Sequence, residues 1–144
     1  MTTRKQPLTI LTREEKDQLL EDFQSFGISS EAMERRADAY KYYSETSFTE
    51  GQRAEHAALR ASAKRLAAWM AKVEDDLLLP VVSEELLELF ARIIGNEFYT
   101  AGAWVRFARE RPRDWAEALR KAQRHRRIAK ELRALVRKLE GVRG

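Results

Sequence analysis

From Thr12 onward, apolar residues recur at three- and four-residue spacing, stretch after stretch behind residues able to cap a helix. No alternating Val/Ile/Thr run and no Asn-Gly or Asp-Gly pair competes with this pattern, and the chain holds only six glycines and three prolines. A helical period with no strand period beside it predicts an all-α fold, a compact bundle of about six helices.

The capping signals place the helices. Thr12 and Glu15 form a capping box, hydroxyl to backbone and carboxylate back, ahead of a first helix over about 12–25. Leu19, Phe23 and Phe26 share its apolar face and Gly27 stops it. Ser29 or Ser30 caps a second helix that buries Met33, Ala37 and Tyr40 and ends near Ser44. Thr49 caps the longest one, central to the bundle, over about 50–78. Along it Leu59, Ala63, Leu66, Met70, Val73 and Leu77 alternate by four and three as a heptad seam. The alanines at 54, 57, 58, 61, 67, 68 and 71 thin the neighbouring surface for close helix approach, which allows a homodimer through the 59–77 face. Pro80 ends this segment.

Ser83, with Glu84 and Glu85 in the first turn, opens a fourth helix to about Ile94 whose apolar residues cover most of its circumference. Gly95-Asn96 reads as a break before a fifth helix to about Arg109. Asp114 with Glu117, after Pro112, opens a sixth reaching about Leu139. Trp69, Trp104 and Trp115 all fall on apolar faces and read as core. The chain is expected to form one domain over 1–144, with 1–78 and 80–144 as candidate sub-bundles.

Charge divides unevenly along the chain. Residues 1–50 carry seven Lys/Arg against ten Asp/Glu, residues 51–100 six against eight, and residues 101–144 fourteen against five. The net +4 therefore joins a mildly acidic body to a strongly basic last third, an asymmetry that points to a polyanionic partner. Between Arg120 and Lys138 nine Lys/Arg face a single acid, Glu131. At 100° per residue, Ile128, Leu132, Leu135 and Leu139 form one stripe of the last helix, and Arg126, Lys130, Arg133 and Arg137 form another about 160° away. That second stripe spans roughly 16 Å, enough to follow several phosphates. Arg120, Arg124 and Arg127, with Arg106 and Arg109 upstream, are expected to extend it. The apolar stripe at 115, 119 and 122 does not run on into the one at 128–139, so a bend or break is expected near Arg124–Arg127.

Catalytic signatures are missing. The chain has no cysteine, its two histidines, His56 and His125, stand in no metal spacing, and no glycine-rich phosphate loop or nucleophile elbow occurs. Both histidines read as surface or helix-end residues, and Glu74-Asp75-Asp76 as a solvated helix end. No cofactor, metal or enzymatic activity is expected. Tyr40-Lys41-Tyr42-Tyr43 sets aromatics beside a cation, a composition able to stack bases, with Tyr40 assigned to the core. Ala91 and Gly95 match a fragment of the helix-turn-helix pattern, but Gly102 would fall inside the recognition helix. In size, helicity and basic surface the chain resembles the small helical subunits of RNA-guided CRISPR effector complexes, a likeness of character carried by no motif.

The expected function is non-enzymatic: binding of nucleic-acid backbone without sequence readout, alone or as a subunit of a nucleoprotein complex. The alternative is a protein-interaction module, a phage- or plasmid-type inhibitor or adaptor that docks the basic helix on an acidic protein. No run approaches a membrane span and Met1–Pro7 leads into no apolar signal core, so the expected location is the cytoplasm, with no membrane partner.

Overall fold

A computed structural model describes residues 9–143, so the Met1–Pro7 segment lies outside the described residues. In chain order the elements are β1 (Thr9–Ile10), α1 (Arg13–Phe26), α2 (Ser30–Thr46), α3 (Glu50–Glu74), β2 (Val81–Val82), α4 (Glu84–Glu110), a 3-10 turn (Pro112–Asp114) and α5 (Trp115–Arg143). The fold is all-α, with one small exception in the two-residue strands.

Local chemistry sets the helix starts. Thr12 and Glu15 close the expected capping box, Thr49 and Gln52 close a second, and the hydroxyls of Ser29 and Ser83 accept from the amides of Ala32 and Leu86. Gly27 ends α1 in the left-handed region at φ 67°, where a side chain would be strained, and its amide donates back to the carbonyls of Phe23 and Gln24. The end of α3 falls at Glu74, four residues short of expectation. There the Asp75 carboxylate accepts the Leu77 amide at 2.8 Å, a side-chain turn that competes with the next helical bond. Two cations from α1 complete the termination: Lys16, itself buried, donates to the carbonyls of Asp75 and, at 2.7 Å, Leu78, and Arg13 donates to that of Asp76. Leu77 consequently leaves the seam and stands 91% exposed.

The long helices pair as two hairpins, α2 with α3 and α4 with α5, which form the two most extensive interhelical contacts. Leu59, Ala63, Leu66, Met70 and Val73 are buried as the heptad reading requires. They join one apolar cluster with Met33, Ala37 and Tyr40 of α2 and Phe90, Ile93 and Ile94 of α4, so these seam residues are buried within the chain. Phe23 and Phe90 pack edge-on against Trp69, whose indole N–H donates to the Val81 carbonyl at 2.8 Å.

Two expected breaks do not occur. α4 runs unbroken through Gly95-Asn96, so the fourth and fifth helices are one of 27 residues and the helix-turn-helix fragment has no turn. Glycine inside a helix costs about 1 kcal/mol, which the packing on either side outweighs. Phe90, Ile94, Glu97, Ala101, Trp104 and Ala108 alternate by four and three straight across the glycine. α5 likewise shows no break at Arg124–Arg127. Its inward line, buried apart from half-buried His125 and Val136, is Ala118, Ala122, His125, Ala129, Leu132, Val136 and Leu139, again spaced four and three, so the contact face drifts by only about 20° per heptad. Alanines rather than large residues carry the first half of this seam. Leu119 is therefore only half-buried, and Trp115 is 54% exposed instead of core.

Beyond the helices, β1 pairs antiparallel with β2, Thr9 opposite Val82 and Ile10 opposite Val81, and the Leu11 amide donates to the Pro80 carbonyl at 3.0 Å. The segment before α1 is thereby stapled to the connection between α3 and α4. At the other end of α1, Lys138 of α5 donates to buried Asp22.

The alanine seam makes a quantitative demand. Ala129→Leu forces a larger side chain into the closed α4–α5 contact and is expected to cost about 1–3 kcal/mol in urea denaturation, whereas Ala116→Leu, on the exposed side of the same helix, stays within about 0.5 kcal/mol. Gly27→Ala meets no neighbouring atom, so its expected loss of about 1–2 kcal/mol is purely conformational.

Candidate functional site

Packing α5 against α4 through its alanine line leaves Arg126, Lys130, Arg133 and Arg137 exposed along a line about 100° around the helix from it. Arg126, Lys130 and Arg137 make no ion pair among the described residues, and Arg133 lies over the Phe98 ring of α4, 4.6 Å from its centroid. That stacking fixes one guanidinium while leaving its in-plane N–H groups free to donate. Glu140, also exposed, follows at the C-terminal end of this line on α5.

The remaining predicted residues divide. Arg120, Arg124 and Arg127 are exposed but lie about 90–150° around α5 from the four-residue line, so they form a separate flank. Arg127 on that flank pairs with Glu131 at 3.0 Å. Arg106 and Arg109 are exposed in the last turns of α4, beside the 3-10 turn. Arg124 faces a cavity.

This cavity, about 680 Å³, lies between α2 and the α4–α5 hairpin. At its floor stands Glu97, 1% exposed, at the seam position between Ile94 and Ala101. Three side chains satisfy it: Arg36 of α2 donates to Oε1 at 2.7 Å, the Tyr40 hydroxyl donates to the same oxygen at 2.8 Å, and Nδ1 of His125 lies 2.5 Å from Oε2. One buried carboxylate thus joins three helices. Burial, reinforced by the Glu97 carboxylate, pushes the Tyr40 phenol well above its ordinary value.

Around the floor, Tyr43 and His56 pack with ring centroids 5.6 Å apart, and Lys121 sits 4.4 Å over the Trp104 ring. The cavity therefore offers aromatic walls, cations and a preorganised polar base. His125 is a seam residue rather than a surface one, and Glu97 and Arg36 were not anticipated as site residues. The signal that could have found them is the acid itself, since a carboxylate on a heptad line demands a buried donor.

Among the described residues no cluster of His, Asp or Glu could hold a metal ion, and no helix is long and apolar enough to cross a membrane. No family model, no curated protein and no solved structure matches the chain.

Removing one member of the buried network strands its partners. Glu97→Gln is expected to lose about 3–5 kcal/mol in chemical denaturation, because the Arg36 guanidinium would then face a neutral amide where it now meets a buried carboxylate. Tyr40→Phe is expected to lose about 1.5–3 kcal/mol near neutrality, the worth of a hydrogen bond to a charged group. Because the folded protein holds the phenol protonated, the unfolded chain alone releases that proton as pH rises past about 10, and parental stability falls there. The gap between parent and Tyr40→Phe should therefore narrow above pH 10, and a constant gap would contradict the assignment.

Proposed function

We propose that this protein binds nucleic-acid backbone, without reading sequence, through Arg126, Lys130, Arg133 and Arg137 on the exposed side of α5. The observation that carries the reading is a single-signed line of four cations with no carboxylate paired to it among the described residues. Cations that serve the fold are paired or stacked inside it, as Lys16, Arg36 and Lys138 are. Three of these four have no partner among the described residues, and the fourth is held by a ring that leaves its donors outward. Arginine predominates, and its planar fork suits phosphate oxygens. Arg106, Arg109, Arg120, Arg124 and Arg127 add positive potential around the line and raise the rate of encounter rather than fix the contact. The protein acts in this reading as a binding subunit in the cytoplasm, alone or within a nucleoprotein complex.

The test is fluorescence anisotropy with labelled single- and double-stranded oligonucleotides over a salt series. Four phosphate contacts on duplex DNA predict a log–log slope of about −3.6. Replacing all four residues by Glu should abolish binding without changing the melting temperature by more than a few degrees, since each is exposed. Equal affinity for the reversed variant, or no binding at low salt, refutes the reading. Salt-sensitive capture of an acidic protein in the absence of any nucleic-acid affinity would instead support the inhibitor or adaptor role.

A further inference from the structure

We infer that the cavity over Glu97 is a binding site for a nucleoside phosphate, with the base against Tyr43 and Trp104 and the phosphate at Lys121 and Arg124. The inference stands apart from the α5 line, since none of Arg126, Lys130, Arg133 or Arg137 lines the cavity.

Size comes first. A volume of about 680 Å³ lies within the range of small-molecule pockets and exceeds what ordered water needs. Electrostatics then choose the class of ligand. Both carboxylates in the lining are engaged, Glu97 by Arg36 and His125 and Glu131 by Arg127. Of the lining cations, Arg124 has no acid partner among the described residues, and Lys121 reaches Glu117 only at 3.6 Å. The cavity therefore has a surplus of positive charge on its α5 side, which suits an anion.

The walls choose the rest of the ligand. Tyr43 packs against His56, and Trp104 lies beneath Lys121, so flat π-faces and a cation border one space. A base offers a matching face to the rings while its phosphate, a few ångströms away, reaches the cations. Asn96 and Thr100, also in the lining, supply amide and hydroxyl groups able to meet the polar edge of a base. The floor cannot retreat from the ligand because Arg36, Tyr40 and His125 hold Glu97 from two neighbouring helices. The aromatic run Tyr40 to Tyr43 acquires distinct tasks: Tyr40 anchors the floor, and Tyr43 forms a wall.

The same chemistry is available from a free nucleotide or from the phosphorylated end of a strand. Calorimetric titration of the full chain with the four ribonucleoside monophosphates, with the matching nucleosides and with inorganic phosphate tests the site. Oligonucleotides carrying a 5′-phosphate or a 5′-hydroxyl test the source. Monophosphates should bind about tenfold or more tighter than nucleosides or phosphate alone. Tyr43→Ala and Arg124→Glu, both at exposed positions, should each weaken them about tenfold, and reversal of the four-residue line should leave them unchanged. Preference for the 5′-phosphate strand, lost in Arg124→Glu, upholds the inference with a strand end as ligand. Monophosphate binding without that preference upholds it with a free nucleotide. Monophosphates and 5′-phosphate strands that both fail to bind, or binding untouched by either variant, would overturn it.

Discussion

The carboxylate of Glu97 is the constraint around which the helices are arranged. A buried charge is tolerable only where donors surround it, and here they come from two other helices, Arg36 and Tyr40 on α2 and His125 on α5. Apolar seams alone would let one hairpin slide against the other by a turn at modest cost. The three-way contact allows a single register, because any slip separates the charge from its partners. α2 meets the second hairpin through this contact and not through a broad apolar face of its own.

α5 shows how one helix serves two purposes. The first half of its inward line is mostly small, Ala118, Ala122 and Ala129, which brings the backbone close to α4 and leaves little room for long side chains there. The long cationic side chains are consequently confined to the remaining circumference. Part of that circumference faces solvent and part borders the cavity, so the single basic tract is divided into an outer line and a flank that includes Arg124.

Much of the fold was legible because the governing interactions are local. The caps at Thr12, Ser29, Thr49 and Ser83, and Gly27 as a stop, each depend on residues within four positions. What was not legible depends on distance along the chain. Gly95 and Asn96 carry the composition of a break, and only the partner helix shows why none forms. The α3 end was assigned to Pro80, although Asp75 and the distant Lys16 terminate it sooner. Two-residue strands present no period to detect. Alanine is equally at home on an exposed face and in a tight seam, so the first half of α5 gave an apolar stripe through Trp115 and Leu119 that the packing does not use. Helical spacing alone puts the outer cations on one side of α5, while the cavity, assembled from residues up to about a hundred positions apart, left only the odd acid at position 97 as a trace.

The outer cations repeat at four, three and four residues, the same interval that the α4–α5 seam uses. Two features with one period on one helix keep a constant bearing to each other, so the charges hold a fixed compass direction relative to α4 instead of spiralling away. Successive positive groups stand roughly 5 Å apart along that heading. An elongated body laid across the first of them would meet the others in file, with no twist demanded of either surface.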